Sequence, residues 1–183
     1  MPRITPITQK SELSAEHQPI ADDIVKVFGR IGGPFSMLLH SPKLAAKILP
    51  LVPFVRDEVI VKPNLRFPAI LTAARENDAS YVWAAQVGQA RQAGIREDLI
   101  DLVRAKGDTG KLPVEEREIV EYARQLLRNH RVEQATFDAL KKRHGEQWLV
   151  ELTATIGYFG FVSGIANAFE VAAPSEGDRI DKS

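Results

Sequence analysis

The sequence predicts an all-helical domain, and three observations carry that expectation. Apolar residues recur at helical spacing along most of the chain, runs of alternating polarity are nearly absent, and prolines and glycines stand where helices would begin and end. A chain of 183 residues is long enough for one buried core. Residues 1–13 are expected to form a flexible N-terminal segment, 14–173 a single helical domain, and 174–183, PSEGDRIDKS, a flexible tail.

The elements follow in order. AEHQPIADDIVKVFGRIGG supports one N-terminal helix, and GGPFSMLLHSP reads as a tight connection. Ser41 and Pro42 are a cap and first-turn proline for a helix through KLAAKILPLV, whose second half Pro50 and Pro53 should distort. Pro63 opens the next helix, and Pro68 is tolerable in its early turns. Asn77 or Asp78 is expected to cap the following helix, which ends at Gly94 in a left-handed conformation, and the two helices should form a tight antiparallel hairpin. Residues 96–104 read as a short helix and KGDTGK as a polar turn. Pro113 starts a helix with acids in its first turn and Arg128 and His130 in its last, which suits the helix dipole at both ends. Another helix stops at Gly145, and an apolar one follows from about Gln147 to Val171. Gly157, Gly160 and Gly164 share one face of that last helix. Glycine there costs about 1 kcal/mol each against alanine unless its missing side chain is used. Close helix packing is the expected use, and a cavity floor beneath Tyr158 and Phe161 is the alternative.

Composition removes several functions. Twenty-four Lys and Arg balance twenty-four Asp and Glu, and no basic block stands out, so neither nucleic acid nor an anionic membrane is an expected partner. The absence of cysteine excludes thiol nucleophiles, disulfides and thiolate metal sites. His17, His40, His130 and His144 are scattered without ligand spacing, so no metal is expected, and nothing indicates another cofactor. The first residues lack an apolar signal core, which makes a cytoplasmic location the default. The long apolar run is interrupted by Glu151, Ser163 and Asn167, which favours a buried helix over a membrane span.

The stretch LRFPAILTAARENDASYVWAAQVGQARQAGI resembles the signature hairpin of the carboxymuconolactone decarboxylase family, which also contains the alkylhydroperoxidase D-like proteins. Upstream GPFSMLLHSPKLAAK and the downstream run from LPVEEREIVEYARQLL to ANAFEV resemble the same family in the same order. The resemblance implies an alkylhydroperoxidase D-like helical bundle with a central helical hairpin, a homo-oligomer, and a small-molecule pocket at the hairpin. In the peroxidase branch the hairpin presents a glutamate, a Cys-x-x-Cys pair and a histidine; those positions fall here on Phe67, Ala79, Val82 and Gln86. In the cysteine-free branch the stretch is Tyr-Glu-Trp-x-x-His, where this chain has Tyr81, Val82, Trp83 and, in the last place, Gln86. A glutamine amide donates and accepts hydrogen bonds but transfers no proton near neutral pH. Thiol peroxidase chemistry is rejected because the chain has no cysteine to supply the thiolate.

The candidates divide by role. Gln86, Tyr81 and His40 are the groups that would act on a substrate, and Trp83, Val82, Phe67, Arg66, Glu76 and Tyr158 those that would bind it. Each has a blander reading: core packing for the aromatics, a structural hydrogen bond for Gln86, surface ion pairs for Arg66 and Glu76, and a structural role for a lone histidine. Two functions remain. One is a cofactor-independent lyase acting on a cyclic or aromatic carboxylic acid; the other is a non-catalytic protein that binds a small ligand or merely assembles.

Overall fold

The structure, a computed structural model, describes residues 1–180, and these contain helices and turns with no strand. The helices are α1 (Gln18–Phe28), α2 (Gly33–Leu38), α3 (Pro42–Ile48), α4 (Leu51–Pro53), α5 (Pro63–Glu76), α6 (Ser80–Gln92), α7 (Glu97–Arg104), α8 (Val114–Asn129), α9 (Gln134–His144) and α10 (Glu146–Ala168). Helix α5 is the axis, packed against α6, α7, α8 and α10. Every residue from Leu65 to Arg75 on it is buried, so it has no solvent face to speak of. Its apolar residues accordingly fall on several sides rather than on one stripe, with Arg66, Thr72 and Arg75 buried among them.

Two apolar clusters make the core. The larger surrounds the α5–α6 hairpin and α10 and includes Leu71, Trp83, Ile100, Ile119 and Ile156. The smaller gathers Ala21, Ile24, Phe35, Leu39 and Val52 from the first four helices. Tyr158 of α10 packs against both.

Prolines shape the join between the clusters. Pro50 and Pro53 lack the amide hydrogens that a regular ladder needs, and the expected distortion takes a definite form. The chain passes through α4 into a π-helical turn, Phe54–Glu58, which closes with the Val59 amide donating to the Phe54 carbonyl at 3.1 Å. Such turns widen the backbone and redirect side chains, here Val55 and Arg56.

Several local expectations change. GGPFSMLLHSP is not a plain connection, because Gly33–Leu38 forms a helix with Pro34 in its first turn. Neither Asn77 nor Asp78 caps α6. Ala79 holds the cap position without a side-chain bond, while the Asn77 side-chain Nδ2 donates to the Ala73 carbonyl at 2.8 Å and closes the preceding helix. Gly94 has φ 83°, as its terminating role requires. Gly157 and Gly164 face open space in the protomer, with no atom within 4 Å of an added Cβ, and Gly160 meets only Leu127 at 4.0 Å. Gly157 and Gly164 do not pack on a described helix of the same chain, and none of the three lines the cavity described below.

Residues near both ends make contacts with the body. The Arg3 amide donates to the Phe169 carbonyl at 3.0 Å, the Ile7 amide to the Ser36 carbonyl at 3.1 Å, and Lys10 pairs with Asp22 at 2.9 Å. At the other end Asp178 pairs with Arg91 and, at 3.0 Å, with Arg104, and Ile180 is buried. The rest of the expected tail, 181–183, lies outside the described residues.

Candidate ligand-binding site

A cavity of about 290 Å³ opens where the two apolar clusters meet. The hairpin supplies one wall through Arg66, Phe67 and Ile70 of α5 and Tyr81, Val82, Ala85 and Gln86 of α6. Spacings of one, three and four residues put each set on a single helix face. Helix α10 adds Tyr158, Phe159 and Val162, and the N-terminal part closes the remaining side with Phe28, Arg30, Phe35, Val55 and Arg56. The size and apolar lining suit a small organic molecule.

Arg66 is the most informative side chain in this wall. It is 6% exposed, its Nη1 donates to the Val61 carbonyl at 3.2 Å, and its Nε has no hydrogen-bond partner. The guanidinium also lies 5.9 Å from the Phe67 ring centre. Among the described residues no carboxylate comes within ion-pair distance of it. Burial pulls its pKa below the usual arginine value, with the Asp57 charge opposing. An arginine keeps its proton even so, which leaves a cation in the wall with unused donors.

The polar groups around it are donors as well. Burial pushes the Tyr81 phenol up, against Arg30 beside it, and burial pushes Tyr158 well above the ordinary tyrosine range. Both therefore hold their protons at neutral pH. Gln86 is half-buried, and its side-chain amide makes no hydrogen bond among the described residues. Arg30 and Arg56 stand exposed at the mouth, Arg56 paired with Asp57 at 2.8 Å. No aspartate, glutamate, histidine or cysteine lines the cavity among the described residues.

Gly33 positions Tyr81. A Cβ at Gly33 would overlap the Tyr81 hydroxyl, and the backbone there has φ 57°, a region that side chains with a Cβ adopt reluctantly. The glycine thus leaves the notch in which the phenol rests.

Of the residues expected at a site, Gln86, Tyr81, Val82, Phe67, Arg66 and Tyr158 come together on the cavity wall. Three do not. Trp83 is fully buried, with its ring 5.6 Å from the Arg104 guanidinium, because it leaves α6 on the side facing the core. His40 is exposed, and its Nε2 lies 2.9 Å from the Thr5 carbonyl, so it ties down the N-terminal segment instead of reaching the cavity. Glu76 sits at the far end of α5, largely buried, bonded to Arg128 at 2.6 Å with Arg124 at 3.7 Å. It neutralises a buried cation of α8. Ala79, matched to a cysteine of the peroxidase branch, is buried at the hairpin turn and does not line the cavity.

Sequence reasoning missed Arg30, Arg56, Phe28 and Phe35. Nothing in their local pattern marks them, since only the fold brings residues 28–35 and 52–56 against the hairpin.

No family model matches the chain, and no curated protein matches it. Solved structures do match. The alkylhydroperoxidase AhpD core of an uncharacterized peroxidase-related protein from Ralstonia eutropha JMP134 is 19% identical, with TM-score 0.70 over 94% of this chain and 95% of that one. An uncharacterized peroxidase-related protein from Silicibacter sp. TM1040 is 13% identical, with TM-score 0.73 over 96% and 95%. The debrominase Bmp8, in complex with 2,3,4-tribromopyrrole, is 15% identical, with TM-score 0.73 over 96% and 95%. This chain accordingly has the all-helical alkylhydroperoxidase D-like fold. At such identities the likeness carries architecture and leaves chemistry to the site.

Proposed function

We propose that the cavity binds a small cyclic or aromatic carboxylic acid and that the protein acts chiefly as its binder. One observation carries this reading: Arg66, a buried cation with no carboxylate within ion-pair distance among the described residues, lines an apolar cavity. A buried cation without an anion is costly, and a ligand carboxylate would relieve that cost. Tyr81, Tyr158 and Gln86 add neutral donors, and the aromatic and aliphatic wall suits a ring. Bmp8, of the same fold, is known with a small halogenated aromatic ring bound.

A cofactor-independent lyase of the carboxymuconolactone decarboxylase type is the second reading, and the Tyr81 hydroxyl is what favours it. When a carboxylate leaves as CO₂, the bonding electron pair stays on carbon and must take a proton, and Tyr81 is a protonated hydroxyl on the wall. Two features oppose it. Burial makes that phenol a poorer acid, and an arginine paired with the leaving carboxylate stabilises the ground state that must be destroyed.

A thermal-shift panel separates these readings from each other and from no binding at all. Aromatic and cyclic acids should raise the melting temperature where their amides and alcohols do not. At ligand concentrations near one hundred times Kd the gain is about 2.7 kcal/mol, or roughly 5–10 °C for a chain of this size. Arg66→Leu should abolish the gain. CO₂ release from a bound acid would establish the lyase, and an equal response to acids and amides would refute the carboxylate reading.

A further inference from the structure

Helix α10 leaves an apolar face without a partner among the described residues. It is long and apolar enough to cross a membrane by length and composition, yet less than half of its most apolar stretch is buried. Leu152, Ile156, Phe159 and Val162 fill the core. On the opposite side Val150, Ala154, Gly157, Phe161, Gly164 and Ala168 are all exposed, at alternating spacings of four and three residues. That is the spacing of a helix-packing seam. Val150 is 67% exposed and Phe161 36%. Glycine weakens a helix unless something approaches closely, and within the protomer nothing approaches Gly157 or Gly164.

The order of residues identifies the occupant. Outward from Phe161, both directions meet glycine, at Gly157 and Gly164, and then alanine, at Ala154 and Ala168. A face that reads alike both ways is complementary to itself when turned end for end, which a two-fold axis demands. The chain also carries no charge between Glu151 and Glu170, so two such faces would meet without like-charge repulsion or a buried unpaired ion.

We propose that α10 pairs antiparallel with α10 of a second copy of this chain, with Phe161 at the two-fold axis and Gly157 of each copy opposite Gly164 of the other. The glycines let the backbones approach, and each Phe161 ring fills the shallow gap beside them. Because Tyr158, Phe159 and Val162 lie on the same helix, the pairing braces the wall of the ligand cavity from behind.

Sedimentation of the full chain at micromolar concentration tests the proposal. The protein should run as a dimer or an even-numbered assembly, and Phe161→Asp should weaken association by roughly tenfold or more. Gly164→Leu should do the same while leaving the fold and melting temperature of the protomer intact, since its side chain enters open space there. The absence of native cysteine makes orientation readable. On oxidation Phe161→Cys should cross-link to itself, whereas Ala154→Cys and Ala168→Cys should cross-link only when the two proteins are mixed. A monomeric wild type, an odd-numbered assembly, or association untouched by both Phe161→Asp and Gly164→Leu would overturn the proposal. So would self-cross-linking of Ala154→Cys, which reports a parallel pair, or co-flotation of a monomer with phosphatidylcholine vesicles, which reports a lipid occupant.

Discussion

On the function proposed, Gln86 and Arg66 hold a ligand by hydrogen bonding and charge without transferring a proton. The glutamine stands where the pattern this sequence resembles has a histidine, and its amide has no hydrogen-bond partner among the described residues. A group left unpaired by its own protein is available to a ligand. Gln86→Leu, close in size, should weaken a bound carboxylic acid by about 1–3 kcal/mol, the cost of an unmade hydrogen bond in a dry pocket. It should leave the melting temperature of the free protein unchanged or slightly raised. Calorimetric titration and a melting curve on both proteins check this; unaltered affinity with a marked loss of stability would make Gln86 structural.

At the level of elements, the junction of α8, α9 and α10 contains a group that makes stability depend on pH. His144, in the last turn of α9, stacks on Trp148 of α10 with ring centres 3.9 Å apart, and its Nε2 lies 3.3 Å from Glu115 of α8. Burial lowers its pKa below the ordinary 6.5, more than the nearby Glu115 carboxylate raises it. The unfolded chain therefore takes up a proton at higher pH than the folded one. The neutral ring's contribution is complete above about pH 6.5 and is lost as pH falls through the window below it. His144→Phe keeps the stacking and removes the titration. Its urea midpoint should fall less steeply than that of the wild type between pH 7 and pH 5; parallel curves would show that His144 titrates as a free histidine.

On the scale of the whole molecule, the two chain ends hold parts that are distant in sequence. The C-terminal segment crosses α6, where Gly177 lies so close to Ala84 that an added Cβ would come within 2.7 Å, and it ends with Ile180 buried. Its ion pairs from Asp178 to Arg91 and Arg104 are partly exposed and contribute little. Burial of Ile180 is the larger effect, about 1.5–3 kcal/mol. Deleting residues 174–183 should lower the melting temperature by roughly 3–12 °C. A truncated protein that melts with the full chain would mean that the segment is free in solution.

The sequence by itself determined the helical class, the α5–α6 hairpin, the termini marked by Pro42, Pro63 and Gly94, and the grouping of Val82 with Gln86 on one face. These follow from the period of the helix and from the backbone preferences of proline and glycine, which act over a few residues. The period says which side chains share a face but not what covers it. Only the tertiary structure decided that Trp83 turns into the core while Tyr81 reaches the cavity, and that Glu76 serves the arginines of α8. The tertiary structure likewise brought Arg30 and Arg56 from separate N-terminal turns to the cavity mouth. Burial and ion pairing at these positions depend on neighbours distant along the chain, as Arg128 is from Glu76 at 52 residues, and that distance lies beyond the reach of local pattern.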